Sequence, residues 1–227
     1  MWCVIPAAGI GQRMSAHCPK QYLKLDFGKT ILEMTIHSVL QAESIDGVVI
    51  ALNAQDTDFK QLKIQSSKPI LTCIGGQSRA DSVYQGLLFL KDKIKHHDFI
   101  CVHDVARPLV DPCDIDRLNN RAVNLNDALG VILVAEVADT IKQVNNNKVI
   151  KTVDRSDLYR ALTPQTMKYD VLFNALAHCK KKNIQVTDEA SALEACGHLV
   201  EIVVGSPKNI KVTYADDLSI VNALINE

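Results

Sequence analysis

The chain has 227 residues, 47% hydrophobic and 22% charged, with a formal net charge of −1 at pH 7. That balance suits a soluble globular protein with a substantial core and excludes a global field that would draw it to nucleic acid or to a membrane surface. Any cationic site must therefore be local. The seven cysteines (Cys3, Cys18, Cys73, Cys101, Cys113, Cys179 and Cys196) form no C-x-x-C pair, and their number is odd. This disfavours a disulfide scaffold and a zinc site, so reduced thiols and a cytoplasmic location are expected. No basic stretch leads into an apolar signal, and no run approaches the ~18 apolar residues of a membrane span.

In chain order, WCVIP (2–6) reads as a strand and TILEMTIHSVLQA (30–42) as a helix with Ile31, Met34, Val39 and Leu40 at core spacing. GVVIAL (47–52) and ILTCI (70–74) are the next strands, followed by a long helix, SRADSVYQGLLFLKDKI (78–94). Ser78 and Asp81 are placed for a capping box at its start. DFICV (98–102) is a fourth strand, and Asp111, Pro112 and Asp114 open another helix, with Pro where no N–H is missed. Strands that are apolar throughout and alternate with helices predict an α/β fold: a doubly wound parallel sheet covered on both faces. One domain over 1–227 accommodates all of it.

A segment after GVILVAEV (130–137) breaks this pattern. TIKQV and KVIKTV flank an Asn triplet suited to the positive φ of a hairpin turn, within 138–156. Both runs mix apolar and charged residues, and a two-stranded ribbon is marginal alone. Ile141, Val144, Val149, Ile150 and Val153 must be buried against something. The ribbon either folds back on its own domain or forms an arm that embraces a second subunit.

The chemistry-bearing stretches are polar and cationic. VIPAAGIGQRM fails the dinucleotide fingerprint, because Met14 takes the place of the third glycine, and the chain holds no P-loop. Ala7, Ala8, Gly9 and Gly11 nevertheless form a small-residue turn after the first strand, where backbone N–H groups can face an anion. Arg13 and Lys20 would bring charge there, although a structural turn with two surface cations fits the same residues. HDVARP (103–108) follows a strand and so places Asp104 and Arg107 outside its carboxyl end, where ligands of parallel sheets bind. Asp104 there would orient a hydroxyl, assist a Mg²⁺ hydration shell or merely cap a helix. His103 suits packing better than base catalysis. Thr163, Thr187 and Lys211 suit a sugar-like phosphate; Thr187 is also placed to cap the helix DEASALEAC. Asp216 and Asp217 suit a cap on the last helix. No spacing supports a Ser–His–Asp or Cys–His arrangement.

Together P-A-A-G-x-G-x-R-M, C-P-K-Q-Y, G-G-x-x-R-A-D-S-V, H-D-x-A-R-P, V-D-R, A-L-T-P-Q, T-D-E-A-S-A-L and N-I-K-V-T occur in that order from Val4 to about Asp217. In this the chain resembles the 2-C-methyl-D-erythritol 4-phosphate cytidylyltransferases of the non-mevalonate isoprenoid pathway. The resemblance implies a Rossmann-like nucleotidyltransferase fold with a mostly parallel sheet, a protruding β-arm, a homodimer, and dependence on Mg²⁺ or another divalent cation. It implies that CTP and a small sugar-alcohol phosphate are the substrates, with no nucleic acid or membrane partner. By residue, Ala7, Ala8, Gly9, Gly11, Gly76 and Ser82 match CTP contacts. Arg13 and Lys20 match transition-state stabilisers, and Arg155 and Lys211 a pair that positions the substrate phosphate. Asp104, Arg107, Thr140, Thr163 and Thr187 match contacts to the acceptor, with Thr140 and Arg155 supplied by the partner's arm. Gln77 stands where a relative carries Asp near the cytosine. No direct protein ligand to the metal is implied beyond Asp104. A pentitol phosphate cytidylyltransferase acting on ribitol 5-phosphate is the nearest rival, though P-A-A-G in place of L-A-G-G argues against it. A non-catalytic nucleotide-binding regulatory module is the alternative of a different class.

Overall fold

The computed structural model describes residues 1–9, 18–95 and 97–225. Its strands are β1 (Trp2–Ala7), β2 (Gly47–Leu52), β3 (Ile70–Ile74), β4 (Phe99–Val102), β5 (Gly130–Glu136), β6 (Ile141–Asn145), β7 (Lys148–Val153), β8 (Tyr159–Lys168) and β9 (Val200–Val204). The helices are α1 (Ile31–Gln41), α2 (Arg79–Leu90), α3 (Pro112–Val123), α4 (Tyr169–Lys182), α5 (Glu189–Glu194) and α6 (Ala215–Ile225). Seven strands form one sheet in the order β3-β2-β1-β4-β8-β5-β9, and among the described residues β6 pairs only with β7.

Why the strands are apolar throughout is visible in how their side chains divide. Val4, Val49, Ile100 and Val102 enter one core with Val83, Leu87 and Leu90 of α2 and Leu172 and Leu176 of α4. Their neighbours Cys3, Ile5, Val48, Ile50 and Cys101 enter the opposite core with Leu32, Ile36 and Val39 of α1 and Ile115 of α3. Period-2 alternation thus serves two buried faces. Helix α2 lies so close to β1 that a Cβ on Gly86 would stand 2.5 Å from Val4 Cγ1. Capping follows the sequence: Thr30 and Glu33 form a capping box on α1, and Asp111 caps α3 with Pro112 in its first turn. At α2 only half of the expected capping box forms: Ser78 accepts from the Asp81 N–H, but the Asp81 carboxylate accepts from the Ser78 hydroxyl and from Lys180 instead of from the Ser78 N–H. Asp217 likewise accepts from the N–H groups of Thr213 and Tyr214 at the start of α6.

The sheet is mostly parallel, as the resemblance implies, with one strand that the parallel pattern of the apolar runs does not foresee. β8 runs antiparallel to both β4 and β5, although the remaining contacts of the sheet are parallel. This strand was hidden by Pro164, since proline cannot donate to a ladder. The structure accommodates it by breaking register: Ile132 pairs with Gln165 and Val134 with Ala161, so residues 162–164 stand out of the β5 ladder. On the other side, β4 pairing ends at Gln165. The long helix also stops earlier than the periodicity suggests, at Leu90.

The hairpin turns on Asn146 and Asn147, with φ of 46° and 60°, as the Asn triplet predicts. Ile141 and Val153 at its base are half-buried, but the side chains nearer its tip are not covered by the domain. Val144, Val149 and Ile150 are 53%, 61% and 58% exposed. Among the described residues, no helix is long and apolar enough to cross a membrane.

Candidate active site

The order of the sheet changes direction between β1 and β4, and loops leaving the carboxyl ends of two such strands diverge to leave a crevice. A cleft of about 630 Å³ occupies this place. It is lined by Ala7, Ala8 and Gly9 after β1, Lys20 and Gln21, the 76–79 loop with Ser82, Asp104 after β4, and Lys211 with Thr213. Three of these side chains are cationic (Lys20, Arg79, Lys211) and one is acidic, Asp104. The wall of the cleft is therefore built to hold anions, although the chain as a whole is nearly neutral.

Each wall is tied down. Gln21 donates to the Ala7 carbonyl at 2.9 Å, fixing the end of β1. Lys20 reaches across to the Val212 carbonyl at 3.1 Å, so the ammonium of the first loop sits beside the N-I-K-V-T segment 192 residues away. In the G-G loop, the buried Ser82 hydroxyl accepts from the Gly76 N–H at 3.1 Å and lies 2.9 Å from the Ser78 carbonyl. A Cβ at Gly76 would stand 2.2 Å from Asp81 Cβ, so glycine is required by close approach there. Gln77 is exposed on the cleft wall.

Asp104 is the centre of the charge arrangement. Its Oδ1 accepts from Arg79 Nε at 2.6 Å and its Oδ2 from Lys211 Nζ at 2.7 Å. Burial alone would raise this carboxyl, but Arg79 and Lys211 more than offset it and hold it far below the usual carboxylate range. The backbone behind it is fixed as firmly. The Asp104 N–H donates to Thr163 Oγ1 at 3.0 Å, which lies 3.0 Å from His103 Nδ1, while His103 Nε2 lies 3.0 Å from the Arg107 carbonyl. A carbonyl only accepts, so Nε2 carries the proton and Nδ1 accepts from the threonine hydroxyl. Desolvation lowers the His103 pKa to about 4, leaving a neutral imidazole in that tautomer. His103 is a packing histidine with a defined orientation.

Of the residues singled out from sequence, the cleft brings together Ala7, Ala8, Gly9, Lys20, Gly76, Gln77, Ser82, Asp104 and Lys211. Gly11 and Arg13 lie outside the described residues. Arg107 and Thr163 are buried and bind the interior: Arg107 donates to the carbonyls of Asn209 and Ala161, and Asn209 to that of Thr163. Thr187 is exposed beside α5, and the cap of that helix is Asp188, in a capping box with Ser191. Thr140 and Arg155 are both exposed at the base of the hairpin, where Arg155 donates to the Val137 carbonyl. They do not line this chain's own cleft.

The sequence reading gave no role to Arg79 or Glu189, although both stand inside quoted motifs. Arg79 lines the cleft and forks onto Glu189 with N–O distances of 2.7 and 2.9 Å. A charged pair in the first turns of two helices looks like ordinary helix-end chemistry until the fold brings them together.

A switch-point crevice with a small-residue turn, converging cations and, among the described residues that line it, no nucleophile–base pair is the site of a nucleotidyltransferase-like α/β protein. The sequence profile of the 2-C-methyl-D-erythritol 4-phosphate cytidylyltransferase family matches residues 1–227, and the chain belongs to that family. It is 44% identical to the enzyme of that name from Alteromonas mediterranea, over 99% of this chain and 92% of the relative. It is also 44% identical to the one from Vibrio vulnificus, over 96% and 91%. The crystal structure of the Francisella tularensis 2-C-methyl-D-erythritol 4-phosphate cytidylyltransferase superposes with a TM-score of 0.83 at 38% identity, covering 98% of both chains.

Proposed function

We propose that this chain transfers CMP from CTP to 2-C-methyl-D-erythritol 4-phosphate, forming 4-diphosphocytidyl-2-C-methyl-D-erythritol and pyrophosphate. The observation that carries the chemistry is the cleft at the ends of β1 and β4, lined by Lys20, Arg79 and Lys211, with the last two on the carboxylate of Asp104; family membership carries the substrates. An oxygen of the acceptor's phosphate attacks the α-phosphorus of CTP in line, forming a new P–O bond. The bond from the α-phosphorus to the bridging oxygen breaks, and its electron pair leaves with pyrophosphate. A phosphate monoester has a second pKa near ~6 and is already ionised at neutral pH, so no general base is required.

The task left to the protein is to bring two polyanions together. In this reading the turn of Ala7, Ala8 and Gly9, which lines the cleft, offers backbone N–H groups to the triphosphate, and Lys20 meets the charge that develops as the α-phosphate reacts. Lys211, hydrogen-bonded to Asp104, would meet the acceptor phosphate, and the Gly76–Gln77 wall the base. Among the described residues no cluster of three His, Cys, Asp or Glu could hold a metal. A Mg²⁺ ion would thus be carried mainly by the nucleotide's phosphate oxygens, with Asp104 the one carboxylate on the cleft wall; it would supply charge neutralisation.

The active enzyme is proposed to be a homodimer in which the hairpin of one subunit brings Thr140 and Arg155 to the cleft of the other. The exposed valines and isoleucine of the hairpin support this, because a lone ribbon needs a second surface. The deciding assay is pyrophosphate release from CTP, comparing methylerythritol 4-phosphate with ribitol 5-phosphate. Faster turnover on ribitol 5-phosphate would overturn the acceptor assignment. CTP binding without pyrophosphate release on either acceptor would make the chain a regulatory module instead.

A further inference from the structure

Glu189 is a carboxylate with no exposure to solvent, on the first residue of a six-residue helix, and it does not line the cleft. Its two oxygens face the two terminal nitrogens of Arg79, whose Nε meets Asp104, whose other oxygen holds Lys211. Four side chains from α5, α2, the loop after β4 and the segment before α6 thus form one line of alternating charge. It runs from a fully buried acid to an ammonium that is 42% exposed. Burial alone would lower the Arg79 pKa, but Glu189 and Asp104 outweigh it and keep the guanidinium charged.

Three of the five guanidinium N–H groups are used in this line, leaving two donors without a partner among the described residues, on a side chain that faces the cleft. The buried end is itself anchored. Gln165 of β8 accepts from the Ala190 N–H at 3.0 Å and donates to Asp188 at 2.8 Å, fixing the start of α5. Fold stability is a weak reason for such an arrangement, since apolar residues of similar volume often replace buried ion pairs without loss.

We propose that Glu189 is a positioning residue for the transfer reaction, acting through Arg79 to fix Asp104 and, through Asp104, the ammonium of Lys211. The inference rests on the activity proposed above. Its physical content is a competition for Asp104. With Glu189 ionised, the guanidinium is held as a fork and presents only Nε to Asp104, which leaves Oδ2 for Lys211. If Glu189 is made neutral, a glutamine offers one acceptor oxygen and one NH2 group, so one arm of the fork meets another donor. Arg79 then turns its terminal nitrogens toward Asp104 and displaces Lys211 from its place.

The test is steady-state kinetics of Glu189→Gln and Arg79→Lys in the full-length enzyme, with CTP and methylerythritol 4-phosphate. Lysine keeps the charge of Arg79 but cannot hold two carboxylates at fixed angles. Each variant is expected to lose roughly 10- to 100-fold in kcat, because misplaced groups forfeit the gain from orientation, while KM for CTP stays within about threefold. The double variant is expected to be no slower than the worse single one, as for residues acting as a unit. A Glu189→Gln enzyme with a native far-UV spectrum and kcat within about twofold of wild type overturns the proposal, whatever its melting temperature. If that variant does not fold, Arg79→Lys decides by the same criterion. Wild-type turnover separates the two levels: its absence sinks the activity itself, whereas an unimpaired variant beside an active wild type sinks only the role of Glu189.

Discussion

The cleft and the hairpin treat polar and apolar groups in opposite ways. In the cleft, charges are buried, yet Asp104 meets Arg79 and Lys211 through its side chain and Thr163 through its backbone. In the hairpin, Val144, Val149 and Ile150 stand in solvent, and among the described residues the two strands pair only with each other. Burying a charge without a partner costs several kcal/mol, so the buried charges of the cleft must be paired within one chain. Exposing three aliphatic side chains costs far less and is relieved by any apolar surface that covers them. The cleft therefore arrives preorganised, while the hairpin is the part of the molecule with something left to bind.

That contrast can be broken or sharpened by experiment. The largest effect is expected at Lys20, which ties two walls of the cleft and which the proposed function sets against the triphosphate. Lys20→Ala should lose about 10²–10³ in kcat, by analogy with a lost oxyanion donor, read as pyrophosphate release under saturating CTP. Near-normal kcat would remove Lys20 from the mechanism. The arm can be tested against this variant. In equal mixtures of Lys20→Ala with Arg155→Ala subunits, half the dimers are mixed and each has one intact site. About a quarter of wild-type activity should return if Arg155 acts in trans. No recovery would mean that each site is built within one chain.

Acid should expose the cost of the buried imidazole. His103 titrates at about 4 in the folded chain, against an ordinary value near ~6.5 in the unfolded one. Between those values the unfolded state binds the extra proton, so stability rises with pH across the window and is lost as pH falls from 6.5 toward 4. The loss should be roughly 3 kcal/mol in urea melts, and His103→Gln should flatten that part of the curve. If both proteins show the same slope over this range, the imidazole is not the group responsible.

Smaller effects separate core from surface. Gly86→Ala places a methyl against Val4 of β1 and should destabilise by about 1–3 kcal/mol, as overpacking does, measured by thermal or denaturant unfolding. Val149→Lys, on the exposed hairpin, should change subunit stability by no more than about 0.5 kcal/mol while weakening dimer formation in sedimentation. A dimer unaffected by Val149→Lys would exclude that face of the hairpin from the interface.

The elements that could be read from sequence are those whose signals are local. β1 to β4, α1, α2 and the start of α3 follow from apolar runs, caps and helical spacing, because each signal lies within a few residues of the structure it specifies. The Asn pair at the hairpin turn is of the same kind. β8 was not legible, since Pro164 argues against a strand and only a break in register with β5 lets it stay in the sheet. The small-residue turn, Lys20, Asp104 and Lys211 stood out as site residues because motif order marks them. Arg79 and Glu189 did not, for their meaning lies in a contact across 110 positions of chain. Sequence alone determined the class of fold, the small-residue and cationic make-up of the loops, and the family. The tertiary structure decided which of the marked residues face the cleft. Arg107 and Thr163 turned inward because buried carbonyls, a buried histidine and the Asp104 N–H must be paired, and that demand appears only once the chain is folded.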